Sequence, residues 1–133
     1  MEPLEVFCSF VTQINNRDID ALCKLMTENH TFVDSLGNVF NGRETMRNGW
    51  AQYFALFPDY RISCEEFFKQ GNMIAAVGIA SATYAPTGEM LEKNRWVIPA
   101  AWKAVVENGQ IREWQIYADN EPVRQIMAEA RNG

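Results

Sequence analysis

The sequence predicts an α+β fold, a cone in which a strongly curved antiparallel sheet wraps over N-terminal helices. Three observations carry this. Apolar residues recur at helical spacing in three stretches before Pro58, the pattern from Tyr60 to Ala118 turns to strands joined by short turns, and an amphipathic helix closes the chain. Helices gathered ahead of an antiparallel meander pack on one of its faces, which leaves a pocket between the layers. The chain has 133 residues, 47% of them hydrophobic and 22% charged. That fits one domain over residues 1–133 with enough apolar material for a core.

Each element has its own signal. Leu4, Phe7, Val11 and Ile14 share a helical face, with Phe10 widening it and Pro3 suited to a first turn, so a helix is predicted over residues 3–14. Asp18 can cap a second helix whose Ile19, Leu22, Cys23 and Met26 share a face. Residues 30–34 switch to period two, with Phe32 and Asp34 on one side and Thr31 and Val33 on the other. The turn Ser35-Leu36-Gly37-Asn38 sends this strand back. Asn41-Gly42-Arg43-Glu44 has capping-box spacing, and Met46, Trp50, Tyr53 and Phe57 follow on one face of a third helix that ends at Pro58. Strands are expected over residues 60–69, 73–84, 94–106 and 110–118, the last two joined at Asn108-Gly109. Pro99 lacks a backbone donor, so a bulge is expected there. Val123, Ile126, Met127 and Ala130 form the apolar face of the closing helix.

Charge narrows the partners. Twelve basic residues stand against seventeen acidic ones, a net charge of −5. Without a Lys/Arg cluster, nucleic acid and anionic membrane surfaces are disfavoured. The acidic first residues and the lack of an apolar run of about 20 residues predict a cytoplasmic protein that does not span a membrane. Cys8, Cys23 and Cys64 lie in apolar patterns without C-x-x-C spacing and are read as buried thiols. No metal-ligand spacing and no phosphate-cradling glycine loop is visible, so no metal and no cofactor are expected.

The order of elements and several local patterns resemble the nuclear transport factor 2-like superfamily, and within it the SnoaL-like polyketide cyclase group. The carrying residues are Asn15-Asn16-Arg17-Asp18-Ile19-Asp20-Ala21-Leu22, Phe40-Asn41-Gly42-Arg43-Glu44, Phe57-Pro58-Asp59-Tyr60-Arg61 and Glu107-Asn108-Gly109-Gln110-Ile111, with Asp119-Asn120 near the end. The resemblance implies a small organic ligand and, where chemistry occurs, a cofactor-independent isomerase or cyclase. It puts Asp119 where SnoaL-like cyclases keep their general acid/base, and Asp34 where ketosteroid isomerases keep a proton-shuttling Asp. Phe10 and Ala101 stand where those isomerases keep their oxyanion donors, which argues against a steroid isomerase. Arg95 is the one relic of the epoxide-hydrolase set. A binding or structural module without turnover is the alternative, because this fold carries both.

The residues themselves offer the same candidates. Enolisation beside a carbonyl needs a carboxylate in an apolar cavity and a donor for the developing oxyanion. Asp119 is expected as principal base, with Asp34 or His30, the one histidine, as its partner across the cavity. The other reading of Asp119 is a cap on the last helix, because Trp114, Ile116 and Ala118 occupy the opposite strand face. A bulge near Tyr117 would let both face inward. Trp50, Tyr53, Tyr84, Trp96, Trp114 and Tyr117 are the expected ligand-binding aromatics. The apolar supply on both faces of residues 73–84 and 94–106 predicts a homodimer through the outer sheet face.

Overall fold

The computed structural model describes residues 1–132. Helices α1 (Pro3–Asn16) and α2 (Ile19–Lys24) are followed by strands β1 (Met26–Val33) and β2 (Val39–Asn41), then α3 (Arg43–Leu56). Strands β3 (Arg61–Gln70), β4 (Met73–Thr83), β5 (Arg95–Glu107) and β6 (Gln110–Tyr117) precede α4 (Glu121–Asn132), with a single 3₁₀ turn at Glu92–Asn94. The strands form one sheet in the order β2-β1-β6-β5-β4-β3. The meander β3 to β6 is antiparallel as predicted, whereas β1 runs parallel to β6. The sheet is therefore mixed. A strand that arrives from a helix hairpin can join the free edge of β6 in either direction, and periodicity alone does not say which.

Local details depart from expectation in instructive ways. On α1 the buried residues are Val6, Phe7, Phe10 and Ile14, and Leu4 is exposed. The Asp18 carboxylate accepts the Ala21 N–H at 3.0 Å, which caps α2 as expected. At α3 no capping box forms: Asn41 ends β2, and Gly42 serves as N-cap at a φ of 101°. Met26 begins β1 and does not continue α2. Of the three cysteines only Cys23 is buried; Cys8 is exposed and Cys64 intermediate, all of them free thiols.

The most consequential correction concerns Pro99. The register of β4 and β5 runs without a break from Met73↔Val105 to Thr83↔Arg95, with Ile79 opposite Pro99. Pairing of β5 with β6 stops at Ala101↔Tyr117, so at Pro99 there is no β6 ladder for the missing N–H to break. Parity is thus kept along β5, and Trp96, Ile98, Ala100 and Trp102 all face the core. The bulges lie elsewhere, between Cys64 and Glu66 on β3 and near Arg112, where Val105↔Glu113 gives way to Val106↔Ile111. Opposite the first of these is Gly78, where an added Cβ would come within 1.9 Å of the Ser63 carbonyl oxygen. Only glycine lets β3 cross so closely, and bulges of this kind bend a sheet. The concave side of the sheet holds α1 and, toward its end, α3; the space left between α3 and the sheet is the site.

Candidate functional site: an aromatic cavity between α3 and the sheet

A cavity of about 410 Å³ opens between α3, the end of β1 and the inner faces of β4, β5 and β6. Several elements build its wall. From α3 come Met46, Gly49, Trp50 and Tyr53, spaced i, i+3, i+4 and i+7, so they lie on one helical face. Strand β5 supplies Trp96, Ile98 and Trp102, β6 supplies Trp114 and Ile116, and β4 supplies Ala80. Tyr60 fills the corner after α3, and Phe32 and Phe40 close the side next to β1 and β2. All four tryptophans of the chain line this one space.

The rings brace one another. Trp50 and Tyr53 meet at 84° with centroids 6.3 Å apart, and Tyr53 and Tyr60 at 86° and 4.9 Å. Trp96 lies 6.3 Å from Tyr60, and Trp114 is held from behind by Phe7 and Phe10. Such edge-to-face contacts fix ring orientation beyond what area burial alone gives. Burial raises the phenol pKa values of both Tyr53 and Tyr60, so these hydroxyls stay protonated at neutral pH. The indole N–H groups of Trp50 and Trp96 are buried without an acceptor among the described residues. A polar group in that position costs on the order of 1–3 kcal/mol until something accepts from it.

Three polar residues, Asp34, Ser35 and Asn120, meet at one end of the cavity. Asp34 and Ser35 follow β1, Asn120 precedes α4, and Thr45 and Gln52 lie on α3. The Asp34 carboxylate accepts the backbone N–H groups of Leu36 and Asn38 at 3.0 and 2.9 Å and the Asn38 side-chain amide at 3.0 Å. Three donors from its own turn hold it in place. The Asn120 amide donates to the Ser35 hydroxyl, which ties the β1 turn to the start of α4.

The expected site residues divide accordingly. Asp34, Trp50, Tyr53, Trp96 and Trp114 line the cavity. Asp119 does not reach it: the side chain is exposed, and its carboxylate accepts the Glu121 N–H at 3.0 Å at the start of α4. Parity is the cause, since Trp114 and Ile116 face inward and no bulge falls near Tyr117 to reverse it, the break in β6 lying near Arg112. Tyr117 is 50% exposed on the outer face, and Tyr84, though buried, packs against Phe57 away from the cavity. His30 is fully buried behind the wall, 6.3 Å from the Phe10 ring. Its Nδ1–H donates to the Ile111 carbonyl at 2.8 Å, and Nε2 has no partner among the described residues. Burial lowers its pKa, against the smaller opposing pulls of that bond and of Glu113. Arg95 stands 4.0 Å from Asp59, outside the cavity. Phe10 is buried in the core, and Ala101 lies on the sheet face opposite Trp102.

Several lining residues were not anticipated from the sequence. Trp102 was obscured by the bulge expected at Pro99. Gly49 could have been found as the small residue beside Met46, Trp50 and Tyr53 on the α3 face. Ser35 carries no pattern that marks it and Asn120 was marked only as the neighbour of Asp119, because the two come together where β1 pairs in parallel with β6.

The model of the SnoaL-like domain family matches residues 9–114 of the chain. Solved structures share the architecture at low identity. A candidate polyketide cyclase from Xanthomonas campestris superposes with a TM-score of 0.82 at 16% identity, covering 93% of this chain and 96% of that one. IdmH, a candidate polyketide cyclase from Streptomyces antibioticus, gives 0.79 at 17%, covering 96% and 99%. An NTF2-like protein of unknown function from Cytophaga hutchinsonii gives 0.71 at 18%, covering 93% and 96%. Among curated proteins no sequence matches significantly.

Proposed function

The chain belongs to the SnoaL-like domain family, and on that premise we propose that it binds a small, largely apolar aromatic molecule in the cavity between α3 and the sheet. The observation that carries this reading is the wall itself: all four tryptophans, the buried Tyr60 and the half-buried Tyr53 converge on about 410 Å³, where a plain core would have filled the space. The unpartnered indole donors of Trp50 and Trp96 favour a ligand with a carbonyl or hydroxyl oxygen.

A second observation favours proton transfer at the same site. Asp34 is the carboxylate among the lining residues, held at the polar end by its own turn. In a cofactor-independent isomerase or cyclase it would take a proton from the carbon next to a ligand carbonyl and return it elsewhere on the product. Asp119, occupied as a cap, takes no part in this proposal, and His30 supports the wall from behind. The outer sheet face, where Val77, Ile79, Val97 and Tyr117 are exposed, is proposed to seat a second copy of the chain. Light scattering tests that part: a dimer is expected at micromolar concentration, and a monomer would refute it.

Titration with 2-acetonaphthone, followed by intrinsic tryptophan fluorescence, tests the binding reading. Saturable quenching is expected in the natural protein. It should be lost in Gly49→Leu, whose side chain enters the cavity from a helical position where an added Cβ meets nothing closer than Met46 at 3.5 Å. Quenching that never saturates, or that survives Gly49→Leu in a folded protein, overturns the reading.

A further inference from the structure

The cavity has an unusual charge balance for so aromatic a space. Among the described residues that line it there is no Lys, Arg or His, and the one charged side chain is Asp34. Four neighbouring cations are engaged elsewhere. Arg47 pairs with Asp20 at 2.7 Å, Arg95 approaches Asp59 at 4.0 Å, Lys103 pairs with Glu113 at 3.0 Å, and Arg43 reaches the Met26 carbonyl. His30 lies behind Phe10 with one nitrogen bound to a carbonyl.

Resting on the ligand-binding reading above, we infer that the cavity selects organic molecules bearing a positively charged tertiary or quaternary amine, and rejects anionic ones. Two features supply the attraction. The first is the set of rings. Trp50, Tyr53 and Tyr60 line the cavity and meet in sequence at nearly right angles, so their π-systems lie in differently oriented planes around one space, and electron-rich rings attract a cation among them. The second is the carboxylate at the polar end. Its three turn donors are already spent on it, so it needs no cation from the protein and remains free to attract one from a ligand. An anionic molecule meets the reverse, because its lost water is replaced by no cation, only by neutral donors such as the Trp50 and Trp96 indole N–H groups, and entry brings it up to Asp34.

Three shape-matched ligands separate these outcomes: phenyltrimethylammonium, its neutral isostere tert-butylbenzene, and benzenesulfonate. Each is titrated into the natural protein and read by tryptophan fluorescence, which reports on this cavity because every tryptophan lines it. The ammonium compound is expected to bind about tenfold more tightly than the neutral one, in keeping with a cation over partly desolvated rings. The sulfonate is expected not to bind. In Asp34→Asn the ratio of ammonium to tert-butylbenzene affinity should shrink severalfold, and Tyr53→Leu should shrink it by a separate route if Asp34→Asn does not fold. Equal binding of the two isosteres, or tighter binding of the sulfonate, overturns the charge selectivity and leaves the ligand-binding reading standing. Saturable binding of none of the three overturns both.

Discussion

The ends of β1 and β6 lie side by side, paired in parallel at Val33↔Gln115, and each leads into a turn headed by an aspartate. The two carboxylates even make the same local bond, Asp34 to the N–H of Leu36 and Asp119 to the N–H of Glu121, both at 3.0 Å. Yet one lines the cavity and the other is exposed. Residue type and this bond are the same in both turns, although Asp34 also accepts from Asn38, and the difference in facing lies in strand parity. On β1 the inward residue is Phe32, and Asp34, just past the strand end, keeps the same side; on β6 the inward residues are Trp114 and Ile116, which turns Asp119 away. A carboxylate becomes a site residue here by register.

The largest expected effect sharpens this contrast directly. For a substrate turned over by proton transfer, Asp34→Asn should lower kcat by about 10²–10⁴-fold, and Asp119→Asn should change it by less than about threefold. Equal losses in both variants would remove the asymmetry. Next comes stability. Trp114→Ala, at a position 1% exposed, should cost about 3–5 kcal/mol in denaturant unfolding, against less than about 0.5 kcal/mol of monomer stability for the half-exposed Tyr117→Ala. These two residues are three apart on one strand, so comparable costs would mean the register of β6 is different.

A pH titration examines the same strand pair lower down, where His30 of β1 donates to the Ile111 carbonyl of β6. Burial holds the imidazole below its ordinary value of 6.5, so folding favours the neutral form. The stability this gives is fully present above the unfolded value and is lost as pH falls below 6.5 toward the folded one. Unfolding free energy should therefore drop on acidification from pH 7 to 5. The part of that drop removed in His30→Asn measures this group, and no difference between the two profiles would contradict it. The smallest effect concerns the bond between the two turns. A double-mutant cycle over Ser35→Ala and Asn120→Ala should give a coupling of about 0.5–1.5 kcal/mol, and additive costs would mean the turns are independent.

What the sequence could express follows the same line. Helix and strand positions were legible because apolar periodicity is a local property, and α3 showed its Trp50 and Tyr53 face before any fold was known. The parallel pairing of β1 was not legible, since direction is decided by where the preceding helix hairpin packs. Pro99 illustrates the limit more sharply. A proline within a strand normally signals a bulge, but here it falls just beyond the last residue of its neighbour, and that depends on the length of β6. Asp119 was attractive through its place next to Asn120 and through resemblance. A break in parity near Arg112 in place of Tyr117 decided its direction, and nothing in residues 110–118 marks which of those two positions bulges.

The account stands most directly on which aspartate senses a molecule in the cavity. With aspartate carboxyl carbons labelled by ¹³C, NMR spectra can be followed while 2-acetonaphthone is added to saturation, each resonance being assigned by the corresponding Asp→Asn variant. The Asp34 carboxyl signal is expected to move progressively with occupancy while that of Asp119 stays in place. Movement of the Asp119 signal with Asp34 unchanged would contradict the account.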